Sequence, residues 1–330
     1  MYNNKLHIIL LVMTIPEIID NRKTKGFSIE VLPPLKGKGI QQLFKNIDSI
    51  KEFNPSYINI TTHRSEMVYK STPDGLYQRV SERARPGTVA VAAAIQQKYN
   101  ITAVPHLICS GFSKIETEYA LIDLNFLGIN NLLVLRGDKA KHDSSFRPNE
   151  NGHSHASQLA GQINEFNKGL FIDGTQMEIV NDTPFSYGVA GYPEKHEEAP
   201  NVEMDIAWLK HKIDMGADYI VTQMFFDNNK FYSFVKKCRE VGIKVPIIPG
   251  IKPIVSKRQL TLLPKVFHVD IPEELADEIV ACKSDDDAKD IGVKWCTEQM
   301  KDLYSSGVPS IHLYSLNATN SVRKILENIM

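Results

Sequence analysis

Eight short β-rich runs, separated by longer segments with helical periodicity, are the feature that most constrains the fold of this chain. Strands that alternate with helices are typical of βα units around a parallel sheet, and eight such strands close a (β/α)8 barrel. The runs are GFSIEVL from Gly26, SYINIT from Ser56, AVPHLIC from Ala103, NLLVLRG from Asn131, FSYGVAG from Phe185, DYIVTQ from Asp218, VPIIPG from Val245 and SIHLYS from Ser310. We therefore predict an α/β protein with a single (β/α)8 TIM barrel, and a doubly wound open sheet is the alternative.

The segments between these runs predict helices and two insertions. Apolar residues recur with helical spacing from Ile115 and from Asp205, and the second segment ends at Gly216, as expected of a helix stop. A stretch rich in Gly, Ser, Asn and His follows the fourth run at residues 139–157 and predicts a long loop over the ligand-binding end of the barrel. Pro272 to Ser306, before the last run, predicts additional helices.

The apolar stretch Leu6 to Ile19 is the one candidate for a targeting segment. Pro16 and Glu17 interrupt it, it is too short to span a bilayer, and it lacks a small-residue cleavage site. We expect a helix within residues 1–25 that packs on a catalytic barrel of residues 26–330. Met13 begins the sequence MTIPEIIDN, which suggests that the natural start lies there.

Composition and missing motifs narrow the function. A net charge of -1 gives no basic surface for nucleic acid, and the four cysteines form no C-x-x-C pair. We expect a cytoplasmic protein with reduced thiols that binds neither nucleic acid nor membrane. His153 and His155 lack a third ligand at metal spacing, so no metal site is predicted. Dinucleotide-binding, P-loop and α/β-hydrolase glycine motifs are absent.

Polar residues stand at the ends of the predicted strands, where a barrel places its active site. In order, these are Glu30, Thr61 and Thr62, His106, Arg136 to Asp138, Tyr192, Gln223, Pro249 with Gly250, and Tyr314. Arg136-Gly137-Asp138 has two interpretations, because an exposed Arg-Gly-Asp tripeptide is also an adhesion ligand. The apolar run before it favours a place at the end of a buried strand, and hence in a site.

Six blocks of the chain resemble the signature blocks of the methylenetetrahydrofolate reductase family, in the family's order and at compatible spacing. They are FSIEVLPP from Phe27, PHLIC from Pro105, LRGD from Leu135, VAGYPEKHEEA from Val189, LKHKIDMGADYIVTQMFFD from Leu209, and IPGIKPI from Ile248. The resemblance covers most of the chain, which resembles the short bacterial form, a catalytic barrel without an appended regulatory domain. It implies bound FAD, reduction of methylenetetrahydrofolate to methyltetrahydrofolate with NADH or NADPH, methyl supply for methionine synthesis, and self-association into a homo-oligomer.

The resemblance also implies site residues. Matches to FAD-binding positions are Thr61, His106, Arg136, Gly137, Asp138, His155, Ala156, Tyr192, His196, Asp205 and Lys212, with His155 standing where some relatives carry Tyr. Matches to folate-handling positions are Glu30, Asp138, Gln223 and Gln259. Glu30 and Asp138 are the implied catalytic pair. Leu263 stands where an aromatic residue stacks on folate in some members of the family.

The chemistry gives Glu30 and Asp138 physical roles. Hydride reaches the methylene carbon more easily once the five-membered ring of the substrate opens to an iminium cation, and this opening needs a general acid at the departing nitrogen. Apolar neighbours and Pro33 predict that burial raises the pKa of Glu30, so that it donates this proton. Asp138, ionised beside Arg136 or backbone N–H groups, would stabilise the cation. Gly137 would let the backbone approach the flavin.

The remaining residues fit the outer parts of the ligands. His196 and Lys212 suit the FAD diphosphate, Asp205 suits a ribose hydroxyl, and the Gln223 amide suits the amide-like edge of a pterin. Three other classes of function stay open: an adhesion module, a flavin barrel with another substrate, such as a proline-dehydrogenase-like enzyme, and a pterin-binding methyltransferase barrel. Bound flavin and folate-dependent reoxidation of that flavin would separate these classes.

Overall fold

A computed structural model describes residues 13–140, 143–180, 182–315 and 318–330, and its described part contains a closed barrel of eight parallel strands. Each predicted run contains one of these strands, so the predicted TIM barrel is confirmed and the open sheet is excluded. In barrel order the strands are β1 (Gly26–Val31), β10 (Ser310–Tyr314), β9 (Ile247–Ile251), β8 (Tyr219–Met224), β7 (Ser186–Gly191), β6 (Asn131–Leu135), β5 (Ala103–Ile108) and β2 (Ile58–Ile60).

Eleven helices of the described residues surround or cap this barrel. They are α1 (Ile15–Asp20), α2 (Gln41–Asp48), α3 (Thr88–Tyr99), α4 (Lys114–Phe126), α5 (Ala156–Asn167), α6 (Val202–Asp214), α7 (Asn228–Glu240), α8 (Gln259–Phe267), α9 (Glu273–Ala281), α10 (Asp285–Ser305) and α11 (Thr319–Glu327). The predicted helices from Ile115 and Asp205 correspond to α4 and α6, and the predicted helical insertion corresponds to α9 and α10. No helix of the described ranges is long and apolar enough to cross a membrane.

The alternation of side chains along β1 shows how the strands divide the interior. Phe27, Ile29 and Val31 are buried in the apolar layer between strands and helices. Ser28 and Glu30 alternate with them and are buried as well, so they face the inside of the barrel. A parallel strand that is covered on both faces therefore still carries polar residues at its inward positions.

Helix α1 closes the end of the barrel where the strands begin. Ile15 and Ile19 pack there with residues at or near the strand starts, including Tyr57, Val104 and Tyr219. Asn131 fixes the helix: its Oδ1 accepts a hydrogen bond from the N–H of Ile15 at 3.0 Å, and its Nδ2 donates to the carbonyl of Met13 at 2.9 Å. The described part of the predicted N-terminal helix thus packs on the barrel, whereas residues 1–12 lie outside the description.

An antiparallel hairpin follows β2, and our sequence analysis did not predict it. Its strands are β3 (Glu66–Ser71) and β4 (Tyr77–Glu82), which pair with each other and with no barrel strand in the described part of the chain. Gly75 turns the chain with φ of +80° and donates to the carbonyl of Thr72 at 3.0 Å. The hairpin is largely exposed, so it lacks the continuous apolar run that identified the barrel strands.

Candidate functional site

Glu30 lies at the centre of a polar cluster inside the barrel, near the ends of the strands. It pairs with Tyr314 on one side and Asn59 on the other, and only 6% of its surface is exposed. Its Oε2 lies 3.7 Å from His106 Nε2 and 4.0 Å from His312 Nε2. The structure therefore joins Glu30 and His106, two of the predicted site residues, to two polar residues from neighbouring strands.

The predicted increase in the pKa of Glu30 is wrong. Burial is the largest influence and does oppose ionisation, as we predicted. His312, His106 and Lys252 act in the opposite direction, however, and together they bring the pKa of Glu30 below its ordinary value. Burial in turn lowers the pKa of His106 to about 4, so His106 is uncharged near neutral pH.

Two buried polar atoms of this cluster have no hydrogen-bond partner among the described residues. His312 Nδ1 is 2.8 Å from Ser28 Oγ, but its Nε2 is unpartnered at 4.0 Å from Glu30. Asn59 Oδ1 lies 3.3 Å from His106 Nε2, but its Nδ2 is unpartnered. Buried polar groups are normally hydrogen-bonded, so two such atoms around one carboxyl group indicate a place for a polar ligand.

The Arg136–Asp138 segment leaves β6 and turns across the end of β5. Gly137 has φ of +81°, and a Cβ there would lie 2.8 Å from the Cβ of Ser110. Ser110 Oγ donates to the carbonyl of Asp138 at 2.6 Å, which fixes the turn. A glycine is therefore required at position 137, because φ is positive there and a Cβ would collide with Ser110. The side chain of Asp138 is exposed beside the mouth of the barrel.

Arg136 contacts groups other than Asp138. Its guanidinium forms an ion pair with Glu198, with Nη2 3.0 Å from Oε1, and stacks over the ring of Phe146 at 4.8 Å. No ion pair within 4.0 Å joins Arg136 to Asp138 in the described ranges. Arg136 therefore links the end of β6 to the loop after β7 and to the long loop after β6, instead of neutralising Asp138.

A second polar cluster lies beyond β7. The rings of Tyr192 and His196 meet edge to face at 4.7 Å, and the N–H of His196 donates to Asp205 Oδ2 at 2.9 Å. Lys212 donates to the carbonyl of Ala190 at 2.9 Å, and burial lowers its pKa to about 8 although Asp205 acts against this. These four predicted residues come together as one group of donors, one acceptor and one aromatic ring.

The other predicted residues are spread around the mouth of the barrel. Thr61 follows β2, with Oγ1 3.2 Å from His63 Nε2. His155 caps α5, and Ala156 is the first residue of that helix. Gln223 Oε1 accepts from the N–H of Met224 at 3.0 Å. Gln259 begins α8, with Oε1 accepting from Val255 at 2.7 Å, and Leu263 is buried in the apolar cluster beneath that helix.

Sequence reasoning missed three members of the Glu30 cluster: Asn59, His312 and Lys252. We considered mainly the last one or two residues of each predicted strand, whereas Asn59 and His312 lie one or two positions before the ends of β2 and β10. The alternation of side chains along a strand could have identified them. His312 stands between the apolar residues Ile311 and Leu313, so its side chain faces the opposite side of the sheet from theirs. Lys252 directly follows β9 in an apolar context that gave no reason to expect a buried charge.

A cavity of about 320 Å³ lies beside the loop after β1. Its lining includes Pro33, Arg85 and Ser315 besides Glu30 itself. The Arg85 guanidinium donates to the carbonyl of Pro33, and Ser315 donates to the carbonyl of Glu30 at 2.5 Å. Ile29, Leu43 and Ile50 line it as well, so this cavity lies on the helix side of β1.

The chain is similar over nearly its whole length to one family of known proteins. A family model described as methylenetetrahydrofolate reductase matches residues 14–330. A probable methylenetetrahydrofolate reductase (NADPH) of Caenorhabditis elegans is 31% identical over 325 residues, which are 98% of this chain and 45% of that protein. A 5,10-methylenetetrahydrofolate reductase of Pectobacterium carotovorum subsp. carotovorum is 28% identical over 293 residues, covering 88% of this chain and 85% of that protein.

Among solved structures, an uncharacterized protein from Clostridium thermocellum that binds two copies of 5-methyl-5,6,7,8-tetrahydrofolic acid has a TM-score of 0.54 and 15% identity. The match covers 94% of this chain and 96% of that one, and at this identity it supports the barrel fold alone. The chain spans about half the length of the curated eukaryotic relatives, of which it covers 45% to 48%. Because the family model matches nearly the whole chain, the protein belongs to the methylenetetrahydrofolate reductase family.

Proposed function

We propose that this protein reduces methylenetetrahydrofolate to methyltetrahydrofolate, with FAD as the bound cofactor and NADH or NADPH as the electron donor. The observation that best supports this is the Glu30 cluster, a buried carboxyl group with unpartnered polar atoms of His312 and Asn59 beside it. A carboxyl group in such a place suits a substrate whose reaction needs one proton at a nitrogen atom. Family membership then specifies which nitrogen-containing substrate is meant.

The second polar cluster supports FAD as the cofactor, because it combines hydrogen-bond donors, an acceptor and an aromatic ring. Lys212 and His196 would hold the diphosphate, Asp205 would accept from a ribose hydroxyl, and Tyr192 would pack against the cofactor, while Arg136, Gly137, Asp138, Thr61, His106, His155 and Ala156 would contact its other parts. Lys212 and Asp205 are held together by the loop after β7 and α6, so the positive and negative groups are already in place. When bound, FAD would supply the hydride transfer that no side chain of this chain can perform.

The residues of the chain would then control the proton and the charge. Although His312, His106 and Lys252 favour its carboxylate, Glu30 in its protonated form donates a proton to the departing nitrogen of the substrate, whose ring opens to an iminium cation. Asp138 places a negative charge near this cation and stabilises it as it forms. Gln223 and Gln259 hold the folate by their amide groups. We further propose that residues 26–330 form the catalytic barrel, that the protein self-associates in the cytoplasm, and that its product serves methionine synthesis.

The test is an anaerobic titration of the purified protein followed by its visible spectrum. We expect a flavin spectrum that bleaches with NADH or NADPH and returns when methylenetetrahydrofolate is added. A protein that cannot be loaded with FAD would contradict the proposal and favour a pterin-binding methyltransferase. A flavin that bleaches but ignores folate would instead indicate a flavin barrel with another substrate.

A further inference from the structure

Lys252 is a buried lysine that the proposed function leaves without a role. It directly follows β9, and with 7% of its surface exposed it is the one lysine of the described residues that is classed as buried. Within the described ranges, no ion pair within 4.0 Å and no hydrogen bond joins its ammonium group to another residue. Burial of an ammonium is costly unless an opposite charge compensates it, and Glu30 is the carboxyl group that opposes the burial-induced decrease in the pKa of Lys252.

The strand register identifies Glu30 as this counter-charge. Leu313 of β10 pairs with Ile251 of β9 and with Ile29 of β1. One position further along, Lys252 is therefore level with Tyr314 and with Glu30, which pairs with Tyr314. The electrostatic coupling runs both ways, because Lys252 favours the ionised form of Glu30 and Glu30 opposes the burial-induced decrease in the pKa of Lys252.

The other titratable groups that face Glu30 are His106 from β5, His312 and Tyr314 from β10, and His63 from the loop after β2. Burial holds the pKa of His106 at about 4 and also lowers that of His63, so both are mainly neutral near pH 7. Burial raises the pKa of the Tyr314 phenol, which therefore stays neutral. Lys252 differs from these groups because its side chain ends in an ammonium, which supplies a positive charge at neutral pH.

We propose that Lys252 is a positioning residue that stabilises the carboxylate left on Glu30 when Glu30 gives its proton to the substrate. The inference rests on the proposed function and adds a residue to it. In the proton transfer the O–H bond of Glu30 breaks, an N–H bond forms on the departing nitrogen, and negative charge develops on the carboxylate. A fixed cation nearby lowers the energy of that charge, so it makes Glu30 a stronger acid. The same cation reduces the fraction of molecules in which Glu30 holds its proton at a given pH.

When the charge of Lys252 is removed, these two effects predict a lower rate at low pH and a shift of the decline in rate toward higher pH. The variant Lys252→Met keeps an unbranched apolar stem and removes the charge. Reoxidation of the reduced, FAD-loaded protein by methylenetetrahydrofolate should be about threefold slower at the acid plateau, because the acid is weaker. Its decline toward high pH should shift upward by about one pH unit, because Glu30 keeps its proton longer. Reduction by NADH, which does not use this proton, should be unchanged.

Two controls separate charge from shape. Lys252→Arg keeps a positive charge, so its pH profile should follow the unsubstituted protein. Lys244→Met removes an exposed lysine just before the same strand, at the opposite end of the barrel, and should change neither plateau nor decline. If Lys252→Met does not fold, Lys252→Gln is measured in the same way. The inference would be overturned if Lys252→Met reacts with folate but its rate declines at the same pH as that of the unsubstituted protein. It would also be overturned if Lys252→Arg behaves like Lys252→Met.

A measurement without turnover tests the same coupling. Thermal unfolding at neutral pH of the unsubstituted protein, Glu30→Gln, Lys252→Met and the double variant forms a double-mutant cycle. Lys252→Met should lower the unfolding temperature more, or raise it less, when Glu30 is present than when Gln replaces it. Additive effects would contradict a Glu30–Lys252 interaction. Failure of the unsubstituted protein to react with folate would contradict the proposed function, and the cycle would still test the pair.

Discussion

The lower and upper halves of the barrel interior are built by the same strands but differ in chemistry. On β5, Val104 belongs to the lower apolar cluster, whereas His106, two positions later, faces Glu30. On β8, Tyr219 and Val221 belong to the lower cluster, and Gln223 follows two positions later. The lower half is closed by α1 over apolar side chains, while the upper half brings Glu30 together with His106 and His312. Stability and chemistry are therefore separated along each strand, and substitutions should separate them too.

The largest effect should come from Glu30→Gln in the upper half. The amide keeps the shape of the side chain but cannot donate the proton, so folate-dependent reoxidation of the reduced flavin should slow by about 10² to 10⁴. FAD binding and reduction by NADH should be retained, and stopped-flow absorbance measures both half-reactions. The matched control is Glu240→Gln, which changes an exposed carboxylate on α7. Equal impairment of the two half-reactions would refute the acid role.

Ile15→Ala tests the lower half. Ile15 has no exposed surface and packs inside the barrel, so the variant should lose about 2–5 kcal/mol of unfolding free energy. Both half-reactions at low temperature should remain within about twofold of the unsubstituted rates, because the lower cluster contains no group of the proposed chemistry. Denaturant unfolding provides the measurement, and Ile115→Ala, at an exposed position of α4, is the control. A folded Ile15→Ala protein that does not reduce folate would contradict the separation of stability in the lower half from chemistry in the upper half.

Lys212→Met should weaken FAD binding without changing the folate chemistry of the loaded protein. A hydrogen bond to a charged group contributes about 1.5–3 kcal/mol, which corresponds to roughly 10- to 100-fold in the dissociation constant of FAD. Flavin fluorescence during titration of the apoprotein gives this constant. Lys210→Met on the same helix removes a lysine that pairs with Asp214 and should leave it unchanged. Equal FAD affinity of both variants would exclude Lys212 from the diphosphate site.

Asp138→Asn should have the smallest effect, because the Asp138 side chain is exposed. Loss of its negative charge should slow folate reduction by about tenfold, or about 1.4 kcal/mol, and should make the flavin easier to reduce. The two half-reactions would then change in opposite directions, as rapid kinetics and a redox titration can show. Asp123→Asn on the exposed face of α4 is the control. Parallel slowing of both half-reactions would contradict the electrostatic role of Asp138.

The sequence predicted the upper half better than the lower half. Glu30, His106 and Gln223 were identifiable because polar residues ending apolar runs converge at one end of a barrel. For the lower half, the sequence predicted a helix packed on the barrel but not that Ile15 and Ile19 close its lower end. Their contacts are with strands far along the chain, and such contacts leave no local pattern in the sequence. The hairpin of β3 and β4 was missed because its strands are polar and exposed.

The sign of the pKa shift of Glu30 shows where local reasoning ends. Burial follows from apolar neighbours in sequence and was predicted correctly. The groups that reverse its effect, His106, Lys252 and His312, are 76 to 282 positions away in the chain and meet Glu30 only through the barrel register. The field at a buried carboxyl group depends on these distant residues, which a reading of its own segment does not reveal.

The most direct test of the account is identification of the product by mass spectrometry. The purified, FAD-loaded protein is incubated anaerobically with NADH or NADPH and methylenetetrahydrofolate, beside Glu30→Gln at the same flavin concentration. We predict methyltetrahydrofolate from the unsubstituted protein and at least about 100-fold less from the variant, whose flavin is still reduced. A flavin-loaded, donor-reducible protein that forms no methyltetrahydrofolate, or a Glu30→Gln variant that forms it at the unsubstituted rate, would contradict the central claim.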